Sequence, residues 1–252
     1  MSDKVLKEAD KKNEDTTHPV RSKLMKWISD SLADARAKGL KVYIIGHQPL
    51  TTKKGKDEFN VGSTHFSDLK QIFTDNADLI LLGLFGHRNL AGLSEILSTS
   101  FMPLFPSITA PGVSPRGVNQ PSFHVLYKHK TSGVILDFEQ WFFNLLDENI
   151  IAQSMDDNYL GTWKRHAGKL FSWRTLSGAT EFTTKTLQDF LYTVIFNQED
   201  FFSIELWRKG GYIGTETPNS YECKSLYDQN DQMMTCMFKN QDKRCWDKGF
   251  LN

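Results

Sequence analysis

Two short apolar runs, each ending abruptly in Gly-His, constrain what this chain can fold into more than any other feature. The first is Lys41 to Ile45 followed by Gly46-His47, and the second is Leu79 to Phe85 followed by Gly86-His87. Both runs are short, continuous and rich in Val, Ile, Leu, Tyr and Phe, which is how buried strands read. Between them, Ser63 or Thr64 can cap a helix that carries Phe66, Leu69, Ile72 and Phe73 on one face. The order strand, helix, strand predicts a parallel βαβ unit with both Gly-His pairs at the carboxyl ends of their strands. Ligands of parallel α/β sheets sit at that edge. One histidine after a strand is usually an ordinary loop residue. Two delivered to the same edge by glycine turns read as parts of a metal site.

The flanks extend this α/β reading. A helix is expected from Pro19 to Lys38, where Leu24, Ile28, Leu32 and Ala35 repeat at helical spacing beside Trp27, and Gly39 stops it. After Asn89 the pattern turns to strands and hairpins. Leu93–Leu97 and Leu104–Ile108 are strand candidates, and the Pro/Gly-rich stretch 109–121 must be loop. Ser122 to Lys128 alternates, Lys130 to Gly133 is a turn, and Val134 to Phe143 returns as the antiparallel partner. Strands are expected to stop near Ile150, with helices over Thr184–Asn197 and Glu199–Arg208. Residues 1–17 are a polar lead with no apolar period, expected to be disordered. The main unit is then 18–149, followed by a helical subdomain with a cysteine-bearing tail over 150–252.

Composition narrows the function classes. Thirty basic and thirty acidic residues cancel, so the balance implies no polyanion-binding face and no nucleic-acid partner. No run reaches the roughly 18 apolar residues of a transmembrane segment, and the charged N-terminus lacks the apolar core of a signal peptide. Cys223, Cys236 and Cys245 all lie near the C-terminus, which suits either a disulfide-stapled tail of a secreted protein or three unrelated reduced thiols. There is no G-x-S-x-G. His18, His65, His124, His129 and His166 lack partners at ligand spacing and read as structural or exposed.

The block THPVRSKLMKWISDSLADARAKGLKVYIIGHQP, with the strand motifs Ile44-Ile45-Gly46-His47-Gln48-Pro49 and Leu84-Phe85-Gly86-His87-Arg88-Asn89, resembles the second half of the calcineurin-like metallophosphoesterases. The resemblance is to their acid sphingomyelinase-like phosphodiesterase branch. It continues through FPSITAPGVSP and NQPSFHVLYKHKTSGVILDFEQWFFNL, covering Pro19 to Asn149. The implied fold is the second half of a β-sandwich flanked by helices, followed by the C-terminal helical subdomain. The implied chemistry is hydrolysis of phosphodiester or phosphoanhydride bonds in a phospholipid or nucleotide by two zinc ions, in an extracellular or lysosomal setting. By that resemblance His47 and His87 are metal ligands, and Asn89 stands where the family has a third, a histidine. Amide oxygen is a weaker donor to zinc than imidazole, and Arg88 puts a cation beside the site. The lysine-bearing loop from Leu50 to Gly62 would lie over the site mouth, either attracting phosphate or simply solvated.

The family's first three metal motifs are absent from this sequence, so at most weak zinc binding and no hydrolysis are expected of this chain alone. It would be the C-terminal part of such an enzyme, completed by upstream sequence or another polypeptide. The alternative is a non-catalytic descendant or binding subunit, which the altered residues Arg88 and Asn89 favour.

Overall fold

The computed structural model describes residues 19–50, 64–98, 100, 102–115, 119–155, 158–165, 172–196 and 207–208. Helix α1 (Pro19–Ala37) opens on proline, whose missing N–H costs nothing at a first helical position. It turns Leu32 and Ala35 into the core and leaves Trp27 65% exposed. Its end is a Schellman motif. Gly39 takes φ 64, its N–H bonds to Arg36 C=O at 3.0 Å, and Leu40 N–H reaches Ala35 C=O at 2.9 Å.

Strand β1 (Val42–Ile45), helix α2 (Thr64–Asp75) and strand β2 (Ile80–Phe85) form the βαβ unit expected from the sequence. β1 and β2 are parallel, with Ile45 beside Leu84. Strands β3 (Gly92–Leu97) and β4 (Pro103–Thr109) complete a sheet ordered β1-β2-β4-β3, in which β4 runs parallel to β2 and antiparallel to β3. A register shift at Val42/Tyr43 skips Leu81. Ile80 and Leu82 therefore face opposite sides of the sheet. Ile80, Phe85, Ile96 and Phe105 pack against Leu32 and Phe73 of the helices, while Leu82, Leu93 and Ile108 face the other core.

That second core is shared with strands β5 (Ser122–Lys128) and β6 (Ile135–Phe142), which pair antiparallel through the expected turn. Ile135 and Phe138 of β6 join it, as do Trp173, Phe182, Leu187, Phe190 and Leu191. The chain is thus a mixed α/β protein with both faces of its first sheet covered.

Three elements were not anticipated. Helix α3 (Leu145–Ala152) is capped by Asn144, whose side-chain oxygen accepts Asp147 N–H at 3.3 Å. Strand β7 (Lys164–Arg165) pairs with Phe142 and Trp141 of β6, so pairing does not stop at Ile150. Two residues are too few to show a period in sequence. Short helix α4 (Trp173–Ser177) follows, capped by Ser172. The predicted helix at Thr184 is present as α5 (Thr184–Phe196). Of the second predicted helix only Trp207 and Arg208 are described, and both are helical. Residues 1–17, the loop 51–63 and the three cysteines lie outside the described residues.

Glu95 on β3 sits under α5, beside Gln188, and burial pushes its carboxyl up to about 7. A folded-state value above the ordinary 4.5 contributes stability below pH 4.5 that is lost as pH rises to about 7. Glu95→Gln is therefore expected to leave acid stability unchanged and to raise the urea midpoint above pH 7. An equal midpoint shift at pH 4 and pH 8 would refute it.

Candidate functional site

The carboxyl edge of β1 and β2 is assembled from backbone first. Gly46 N–H bonds to Leu84 C=O at 3.0 Å, and Gly86 N–H bonds to His47 C=O at 2.9 Å, so the two Gly-His turns are laced together. A Cβ on Gly46 would lie 3.3 Å from the Phe85 ring, which explains the smallest residue there. His87 then takes φ 70 while Arg88 N–H returns to Gly86 C=O at 2.8 Å. This is a γ-turn centred on His87, a conformation that costs a side-chain-bearing residue on the order of 1–3 kcal/mol. Such strain persists only where the surroundings hold it.

The result is convergence. His47 Nε2 stands 3.1 Å from His87 Nδ1, with the rings edge to face at 80°. The contact leaves room for at most one proton between the facing nitrogens, as in a neutral N–H···N bond. Otherwise both lone pairs meet a cation. Two nitrogens at 2.0–2.1 Å from a tetrahedral zinc are about 3.3 Å apart, so the pair fits two ligand positions.

Asn89, at the position expected of a third ligand, lies against Gly112. Asn89 takes φ 60, a left-handed conformation that asparagine tolerates better than most residues. Its C=O accepts Gly112 N–H at 3.1 Å, and its side chain packs so closely that a Cβ on Gly112 would meet Asn89 Oδ1 at 3.0 Å. Gln48, next to His47, holds its side-chain oxygen buried without a hydrogen-bond partner among the described residues. No group of three or more His, Cys, Asp or Glu suited to a metal occurs among the described residues. The described residues thus bring together two imidazoles, one short of the three protein ligands that a zinc site normally takes.

One positioning residue escaped the sequence. Arg208 is buried, its Nε donates to Ala91 C=O at 3.2 Å, and its own C=O accepts Ala91 N–H at 3.1 Å. It thereby clamps the loop between His87 and β3 from 117 residues away. No local pattern marks such a contact. Of the histidines read as structural or exposed, His124 is half-buried against Phe138 and Trp207, and His129 accepts Ser132 N–H in the β5–β6 turn at 3.1 Å. His65 lies in α2, and His18 and His166 fall outside the described residues.

Fold and site together define a mixed α/β protein with paired histidines at the carboxyl edge of a parallel sheet. The chain is similar to Sphingomyelinase phosphodiesterase C of Dictyostelium discoideum, at 29% identity over 144 residues, which make up 52% of this chain and 32% of that protein. The chain spans about a third of the length of the curated relative it matches. No protein-family model matches it. The distant, partial match supports a phosphodiesterase-like relationship.

Proposed function

We propose that this chain is the C-terminal part of a sphingomyelinase-like metallophosphoesterase, contributing His47 and His87 to a zinc site whose other ligands come from elsewhere. The convergence of the two imidazoles at 3.1 Å carries the reading. Zinc bound there would supply Lewis-acid chemistry to a phosphodiester of a phospholipid or nucleotide. Within this chain, His47 and His87 form the donor pair, Gly46 lets the first turn pass the Phe85 ring, and Arg208 holds the loop behind them.

The outer edge of β1 suits a partner segment. Among the described residues β1 is the terminal strand of its sheet, and Ile45, next to the site, is 78% exposed. An apolar edge strand without a neighbour is a liability in solution, so an adjoining strand from upstream sequence or another polypeptide would cover it. The extracellular or lysosomal setting is part of the same proposal, resting on family resemblance and the clustered cysteines.

Equilibrium dialysis against zinc tests the site. The wild-type chain is expected to bind weakly, and His47→Ala with His87→Ala to bind at least roughly tenfold more weakly, with the urea midpoint little changed because both residues are exposed. Unchanged zinc affinity in the double variant would sink the assignment.

The second reading, a non-catalytic descendant, is favoured by Asn89 lying against Gly112, an arrangement a larger histidine would disturb. The intact mass of the natural protein separates the two. A mass well above 28.9 kDa, with peptides upstream of Met1, favours the enzyme, and 28.9 kDa favours the descendant or a subunit.

A further inference from the structure

The segment from Tyr159 to Arg165 holds an apolar side chain out into solvent on a rigid mount. Leu160 is 92% exposed, more than any other large apolar residue among those described. The mount is the buried carboxylate of Glu148 on α3. It accepts Tyr159 Oη–H at 2.5 Å and Thr162 N–H at 2.9 Å, and Lys164 Nζ lies 3.5 Å away. These bonds hold the Glu148 carboxyl below the usual carboxylate range, the one from Tyr159 most of all. Gly161 takes φ 71, and a Cβ there would run into the Phe143 ring. The loop is therefore pinned from both sides with Leu160 at its tip.

The residues that follow in the chain are an aromatic and two cations. Trp163 is 38% exposed and is rooted by Phe123 and Phe143, with ring centroids 5.1 and 5.5 Å away. Lys164 and Arg165 come next, both exposed. Apolar tip, tryptophan, then cations is the sequence that crosses a lipid interface from acyl chains through the headgroup boundary to the phosphates. The cations are balanced by carboxylates, Lys164 by Asp147 at 3.9 Å and Arg165 by Glu139 at 2.8 Å. Paired charges of both signs complement a headgroup that itself carries both a phosphate and a cation. They provide no reason for an anionic surface.

We propose that Tyr159–Arg165 is a contact for a zwitterionic phospholipid surface, with Leu160 inserted and Trp163 at the headgroup level. The proposal goes beyond the zinc reading and does not depend on it.

Flotation of the full chain with phosphatidylcholine vesicles tests it. Wild type and the His47→Ala/His87→Ala variant should float alike, and Leu160→Asp should bind at least roughly tenfold more weakly, the scale of one leucine withdrawn from an apolar phase. Leu146→Asp is the control. Leu146 is 68% exposed on α3 but lies two residues before Glu148, on the far side of the helix from the mount, and its replacement should leave flotation unchanged. Urea midpoints matching wild type confirm that both variants fold. Absence of vesicle binding, equal loss in both variants, or no loss in Leu160→Asp would each overturn the proposal. Self-association abolished by Leu160→Asp without any vesicle binding would make the loop a protein contact instead.

Discussion

Trp173→Ala is expected to cost about 3–5 kcal/mol, the range for deleting a fully buried tryptophan. Trp173 is completely shielded from solvent. Its ring lies against Phe138, Phe182 and Phe190 at centroid distances of 5.9, 4.8 and 5.3 Å. Its Nε1–H donates to Glu181 C=O at 2.9 Å, so truncation also strips that carbonyl of its donor. Against a typical total of roughly 5–15 kcal/mol, this would leave the chain close to unfolding at body temperature. Trp27→Ala is the matched control, because Trp27 stands mostly in solvent, and its change should stay within about 0.5 kcal/mol. Urea melts with an unchanged slope and a large midpoint shift for Trp173→Ala alone would verify both. A shift below about 1 kcal/mol would mean that α4 and α5 do not share the core of the two sheets.

Taken alone, His124 is expected to lower stability as pH falls from 6.5 to about 4. Its ring is half-buried on β5 with both nitrogens shielded from solvent, stacked on Trp207 at 5.4 Å and near Phe138 at 5.8 Å. Neither ring nitrogen makes a well-formed hydrogen bond among the described residues, and the Gln140 amide opposite offsets the burial only in part. Burial brings the imidazole down from 6.5 to about 4. A folded-state value below the unfolded one contributes stability above pH 6.5 that is lost as pH falls through about 4. At 1.36 kcal/mol per unit this amounts to about 3 kcal/mol. Glu95 works in the opposite direction over an overlapping window, so these two slopes largely cancel in the wild type between about pH 4.5 and 6.5. Single variants should uncover them. His124→Phe should lose stability as pH rises, and Glu95→Gln should gain it. His124→Phe should also be more stable than wild type at pH 5, since an apolar ring replaces a polar one whose shielded nitrogens make no well-formed hydrogen bond. Identical pH profiles for all three proteins would refute the burial of both groups.

Much of the fold was legible in the sequence. The strands around Val42–Ile45, Ile80–Phe85 and Ser122–Lys128 lie within two residues of their expected ends, because continuous or alternating apolar runs report burial directly. Gly39 was legible as a stop because a left-handed cap strongly favours glycine. The elements that were missed are short. α3 is announced by little more than Asn144, and β7 exists because β6 offers it an edge, which no local signal records.

By itself the sequence determined that two histidines would leave adjacent parallel strands at the same edge, because strand, helix and strand alternate within 47 residues of one another. Tertiary structure alone decided that their nitrogens would meet at 3.1 Å, that His87 would be held in a γ-turn, and that Asn89 would turn against Gly112. It likewise decided that His124 would stack on Trp207 and that Arg208 would clamp Ala91. The division has a physical cause. Periodicity and turn chemistry are set by residues a few positions apart, and the sequence displays them. Ring orientation, backbone strain and the cost of charging a buried group are set by neighbours that only folding brings together.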